Sequence, residues 1–208
     1  TISPDHFIPI AEETNLIIPL GRWIIRKPIS DIMSLHQSGF SDLILSINLS
    51  SRQFNDEHLF DIIDEVLVDT GFDKSKLMFE ITETTSISDV ESSVKIMEEF
   101  YNRGIALSLD DFGTGYSSLS YLKKFALKEL KIDKSFIQDI PDDQNDVAIC
   151  KTIISMAKSL NFNVVAEGVE TQEQLEFLLE NDCYIIQGYL FYKPMDLEHL
   201  KITMKISE

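Results

Sequence analysis

Six short apolar runs punctuate the chain, over residues 43–49, 76–82, 105–110, 129–133, 163–167 and 184–190. Each is followed by a stretch with helical spacing of apolar positions, over 58–70, 89–103, 117–125, 142–160, 171–181 and about 197–204. Two helices precede them. One enters at Ser3-Pro4-Asp5 and carries Phe7-Ile8-Pro9-Ile10-Ala11; the other covers 18–37, is bent by Pro28 near the carbonyl of Ile24, and stops at Gly39. Strands alternating with helices predict βαβ units and a parallel sheet.

The alternation within each run says more. Side chains along a strand point to opposite faces in turn. Leu43, Leu45, Ile47 and Leu49 oppose Ser46 and Asn48; Leu77, Phe79 and Ile81 oppose Met78, Glu80 and Thr82. Leu107 and Leu109 oppose Ala106, Ser108 and Asp110, and Leu130 and Ile132 oppose Lys131 and Asp133. A sheet covered by helices on both sides wants apolar residues on both faces. One large apolar face and one smaller, more polar face fit a barrel, with the large residues outward. The polar residues Asn48, Glu80, Asp110, Lys131, Glu167 and Gln187 also fall late in their runs, so they gather at the carboxyl end of the barrel, where β/α barrels carry their chemistry. Taken singly, each has an ordinary structural use, as a turn cap, an ion-pair partner or a surface charge. Their recurrence on successive strands points to a site.

Composition narrows the class. The chain has 208 residues, 44% of them hydrophobic, which suits one domain over 1–208 with a substantial core. No apolar run approaches the ~18 residues of a membrane span. The net charge of −17 repels long nucleic acid and anionic membranes, which argues against DNA binding and membrane insertion. A small anionic ligand needs local help from metal ions, lysines or backbone amides. Cys150 and Cys183 sit in apolar neighbourhoods and read as buried free thiols, in keeping with a cytoplasmic setting. His6, His36, His58 and His199 show no ligand spacing. A start at Thr1, without Met or leader, is the pattern expected of a piece of a longer protein.

The run Asp110-Asp111-Phe112-Gly113-Thr114-Gly115-Tyr116-Ser117-Ser118-Leu119 carries the most chemistry. Adjacent acids repel and call for a cation or solvent. Neighbours on a strand point oppositely, so both aspartates can serve one site only if the strand twists or ends there; Gly113 and Gly115 supply such a turn. As a generic phosphate loop the segment is weak, because no Gly-Lys-Ser/Thr follows.

These residues, with Phe7-Ile8-Pro9-Ile10-Ala11-Glu12, Asn48-Leu49-Ser50, Glu80-Ile81-Thr82-Glu83, Leu130-Lys131-Ile132-Asp133, Val165 through Thr171 and Gln187-Gly188-Tyr189, resemble the EAL-domain family, in family order along nearly the whole chain. The resemblance implies an α/β fold, a (β/α)8 TIM-type barrel, incomplete here with about six core strands. It also implies hydrolysis of cyclic di-GMP to linear pGpG with two Mg2+ or Mn2+ ions roughly 3.5–4 Å apart, an all-oxygen set rather than a zinc site. By the same resemblance Asn48, Glu80 and Asp110 hold one ion, and Asp110, Asp111 and Glu167 the other. Lys131 stands beside the attacking water, Asp110 and Glu167 share in catalysis, and Gln187 and Asp133 meet the substrate. Glu83 and Glu170 support the ligands from behind, Glu83 by anchoring the loop of Phe112, Gly113, Thr114 and Gly115 as far as Ser118.

One departure stands out. The family opens with two strands, the second bearing the Glu-Ala-Leu signature and followed by an Arg-Trp segment; Trp23 belongs to a later helix and replaces neither. A metal-ligating glutamate and a substrate-holding arginine are therefore lacking, and weak or no turnover is expected of this chain alone. Open strands at 43–49 and 184–190 predict a homodimer, strand exchange or cover by another segment. Upstream sensory or nucleotide-cyclase domains are expected in the parent, which could anchor it to a membrane. Two alternatives remain: a catalytically inactive cyclic di-GMP receptor or protein-interaction domain, and an unrelated metal-dependent barrel hydrolase.

Overall fold

The computed structural model describes residues 4–115 and 119–206. Ser3 of the expected helix entry, and Tyr116, Ser117 and Ser118 of the expected loop and helix, lie outside them.

Helices α1 (Pro4–Glu13) and α2 (Ile17–Gln37) lead in, and α2 runs on across Pro28. Then come β1 (Leu45–Asn48), α3 (Ser51–Phe54), α4 (Leu59–Thr70), β2 (Leu77–Thr82), α5 (Glu83–Ser88) and α6 (Val90–Arg103). The chain continues through β3 (Ala106–Phe112), α7 (Leu119–Leu122), β4 (Glu129–Ile132), α8 (Gln144–Ser159), β5 (Asn163–Glu167), α9 (Gln172–Glu180), β6 (Ile185–Gln187) and α10 (Leu197–Ile206). Three of the helices begin at capping side chains. Asp89, Asp143 and Thr171 accept from amides of the first turns of α6, α8 and α9, satisfying donors that no helical carbonyl can reach.

Two expectations are corrected. The helix expected over 117–125 is a single turn among the described residues, Leu119–Leu122. It tightens into short-range bonds, Lys124 N to Tyr121 O and Phe125 N to Leu122 O, as Phe125 turns into the core toward β4. The third strand does not stop at Asp110 but continues to Phe112. The short helices α3 and α5 follow closely behind β1 and β2.

All six strands are parallel and pair in chain order, β1 to β6, forming a curled half-barrel. Among the described residues β6 does not pair with β1. The outward face is apolar and packed under the helices: Phe79, Leu107, Leu109, Leu130, Ile132 and Ala166 are buried there with Phe100, Ile63 and Ile154. The inward face carries Ser46, Met78, Glu80, Glu129, Lys131, Val165 and Gln187 around an open cavity of about 840 Å³. No helix among the described residues is long and apolar enough to cross a membrane.

Candidate metal and substrate site

Lys131 is the centre of the site. It points inward from β4, is 4% exposed, and its Nζ donates to Glu80 Oε2 at 2.7 Å. Glu167 Oε1 lies at 2.6 Å and Asp110 Oδ1 at 3.2 Å from the same ammonium. A surface role for this lysine is thereby excluded. Burial alone lowers a lysine pKa. Here the hydrogen bonds to Glu167 and Glu80 and the charges of Glu80 and Asp110 outweigh it, so the ammonium is held well above its ordinary range.

Each carboxylate arrives from a different strand. Glu80, buried in β2, takes Lys131 on one oxygen and the Ser46 hydroxyl of β1 on the other. Glu167 ends β5, beside Gln187 of β6 in the register. Burial pushes the Glu167 carboxyl upward, with Asp110 and Glu80 adding to it and Lys131 opposing. Asn48, the last residue of β1, is register-paired with Glu80.

The two aspartates reach one place by a bulge. Leu109 pairs with Leu130 and Phe112 with Ile132, so three steps of β3 match two of β4. The extra residue lets successive side chains depart from strict alternation. Asp111 itself takes the left-handed φ of 54°, which aspartate tolerates better than most residues. The left-handed backbone thus starts within the strand, at Asp111, and the turn expected at the glycines follows at Gly113. Gly113, at φ 102°, is required for another reason: a Cβ there would lie 2.7 Å from the Phe136 ring. Burial, then the charges of Asp110 and Asp133, push the Asp111 carboxyl above its ordinary range.

The remaining expected residues divide. Glu83, 1% exposed at the start of α5, accepts from the amides of Gly113 at 2.9 Å and Gly115 at 3.3 Å. It therefore holds the described part of the loop after β3, where Phe112 is buried and Thr114 caps back onto Asp111 O. Asp133 caps the short turn Lys134–Phe136, accepting from Ser135 N at 2.9 Å. Glu170 lines a 460 Å³ pocket that borders the Lys131 cluster through Glu167, with Lys134, Gln187, Tyr189 and Lys193.

One carboxylate oxygen each from Asp110, Asp111 and Glu167 lies within 4.8 Å of the others. With Glu80, four carboxylates gather about one ammonium, and two of them, Asp111 and Glu167, are raised by burial and by the charge of Asp110 beside them. Excess negative charge on hard oxygen donors, with no thiolate or imidazole in the group, fits Mg2+ or Mn2+. Ser46, Ser108 and Glu129 also line the interior but were not singled out as site residues in the sequence. Ser46 and Ser108 sit on inward faces already read from the alternation, and Glu129 lies two residues before Lys131, hence on its face.

Residues 1–194 match the EAL domain family. The chain belongs to that family. It is 41% identical over 200 residues to Cyclic di-GMP phosphodiesterase NbdA of Pseudomonas aeruginosa, covering 96% of this chain and 26% of that protein. To Cyclic di-GMP phosphodiesterase PdeR of Escherichia coli it is 37% identical over 194 residues, 93% of this chain and 29% of that protein. The EAL chain thus spans less than a third of the length of these curated relatives. Its fold matches the PaMucR phosphodiesterase in its c-di-GMP complex with a TM-score of 0.92 and 40% identity, covering 96% of this chain and 81% of that one.

Proposed function

We propose that this EAL domain serves a metal-dependent phosphodiesterase that hydrolyses cyclic di-GMP to linear pGpG. The observation that carries this reading is the convergence of Asp110, Asp111 and Glu167 within 4.8 Å beside the buried Lys131. In this reading Asn48, Glu80 and Asp110 hold one cation, and Asp110, Asp111 and Glu167 a second. Bound Mg2+ or Mn2+ supplies Lewis acidity, making water a nucleophile near neutral pH and offsetting charge on the phosphodiester oxygens.

The chain's own residues do the rest. Lys131 keeps a proton and a positive charge at Nζ inside the barrel, where it stabilises negative charge on the attacked phosphate. Glu80 is fixed between Ser46 and Lys131, so its oxygens need no rearrangement to act as donors. Glu83 fixes the backbone after Asp111 through Gly113 and Gly115. Gln187 and Asp133 border the site and orient the dinucleotide; Glu170 shapes the adjoining pocket. The net charge of −17 makes cations necessary for an anionic substrate to approach. The same reading places the domain in the cytoplasm, within a larger signalling protein, as a homodimer or strand-exchanged assembly.

A second reading, a receptor that binds cyclic di-GMP without turnover, draws on the outer edges of β1 and β6, which do not pair with each other among the described residues. A turnover assay with cyclic di-GMP and Mn2+, run beside a binding titration, separates the two. Slow hydrolysis that Asp110→Asn abolishes supports the enzyme. Tight binding without any hydrolysis, even as part of a longer natural chain, supports the receptor.

A further inference from the structure

Asp111 and Glu167 stand near the ends of β3 and β5, on either side of β4. With Asp110 their carboxylates lie within 4.8 Å, an arrangement that like charge opposes. Lys131 offsets part of this through Asp110 and Glu167. Asp111 lies in the bulge, where β3 and β4 are out of step, so sheet register does not fix it.

Contacts just beyond the strand ends do. Gly113, two residues after Asp111, donates its amide to Glu83 at 2.9 Å and meets Phe136 on its open side, where a Cβ would lie 2.7 Å from ring atom Cε2. The Thr114 hydroxyl donates to the Asp111 carbonyl at 2.9 Å. Across β4, Gly168 directly follows Glu167 with a φ of 71°. A Cβ there would lie 2.5 Å from Lys134 Cβ and 3.4 Å from its Cα. Both glycines therefore admit the same short turn, Lys134–Phe136, which follows β4; the missing Cβ is what permits so close an approach. The turn is itself well anchored. Asp133 accepts from Ser135 N at 2.9 Å, Phe136 packs against the core, and Ile137 is fully buried.

We propose that the turn Lys134–Phe136 is a spacer that sets the separation of the Asp111 and Glu167 carboxylates, Phe136 acting through Gly113 and the Lys134 stem through Gly168. Both are positioning residues, acting on the backbone beside the ligands. The spacer orders the ligands before a cation arrives, so binding does not carry the cost of ordering them. This deepens the metal-dependent reading above and rests on it.

Mn2+ binding to the whole chain tests it, read without substrate from the electron paramagnetic resonance signal of free Mn2+. Phe136→Leu should weaken binding about tenfold, a size typical of partners that orient metal ligands. Ile63→Ala, in the fully buried face of α4, should lower the thermal midpoint while the folded chain keeps its Mn2+ affinity. Wild-type affinity in Phe136→Leu, or an equal loss in Ile63→Ala, overturns the proposal. Lys134 separates contact from charge. Lys134→Ala keeps Cβ and removes a cation that opposes Mn2+; Lys134→Gly removes both. The Gly variant should bind about tenfold more weakly than the Ala variant. Equal affinities of these two would mean that the lysine acts by charge alone and would overturn the spacer, even should Phe136→Leu fail to fold. No Mn2+ binding by the wild-type chain overturns the metal reading itself, and this inference with it.

Discussion

The two faces of the same six strands have opposite designs. On β4, Leu130 and Ile132 point outward and are fully buried against the helices, while Lys131 points inward into a cluster of carboxylates. The outer face gains stability from apolar area removed from water. The inner face gathers like charges that repel one another, a cost that only cations or Lys131 offset. A fold can carry such a site because the other side of each strand supplies the stability.

Lys131→Met probes the inner face. It leaves Glu80, Asp110 and Glu167 without their cation, and breaking such a buried cluster costs about 3–5 kcal/mol. Turnover should fall about 10²–10⁴-fold. Mn2+ should restore much of the lost stability, as measured by thermal unfolding with and without the ion. Phe79→Ala probes the outer face. The ring is fully buried and lies 5.5 Å from Phe100, and its removal should cost about 3–5 kcal/mol. The same Mn2+ addition should recover little beyond the ordinary gain from ligand binding. Equal recovery in both variants would erase the distinction between the faces.

Glu83→Gln weakens the acceptor of the Gly113 and Gly115 amides. The expected loss is about 1.5–3 kcal/mol at most, with turnover reduced more than stability, since the loop borders Asp111. Denaturant midpoints compared with rates decide it. The buried thiols give a pH test of the outer core. Burial pushes Cys150 from 9.0 to about 12 and Cys183 from 9.0 to about 11. A folded-state pKa above the unfolded one gives stability that is complete below pH 9 and lost as pH rises toward 12. Thermal midpoints should therefore fall above pH 9, and less so in Cys150→Ala measured against its own neutral-pH value. The smallest effect is expected at the rim: Thr171→Ala removes the capping box of α9 and should cost about 1 kcal/mol.

Much of the site was legible because strand periodicity is rigid. Glu80, Asp110 and Lys131 were assigned to one face from alternation, and Glu167 with them to one end, and an ammonium touching all three carboxylates agrees with that placement. The Asp110–Asp111 geometry was not legible. A bulge is an offset between two strands, and a single strand's pattern carries no record of its partner's register. Glu129 and Ser46 went unmarked as site residues for a similar reason: their partners, Ser108 and Glu80, stand on the adjacent strands and are not their neighbours along the chain.

By itself, then, the order of residues determined the parallel α/β architecture, which side of each strand meets the helices, and the membership in a metal-dependent family. Local periodicity and motif spacing suffice for those, because both act over a few residues. Only the tertiary structure decided that Lys131 is enclosed by three carboxylates, that Asp111 turns into left-handed backbone, and that β3 and β4 fall out of step between Leu109 and Phe112. Contacts between distant segments depend on register and curl, which arise when the whole sheet packs at once.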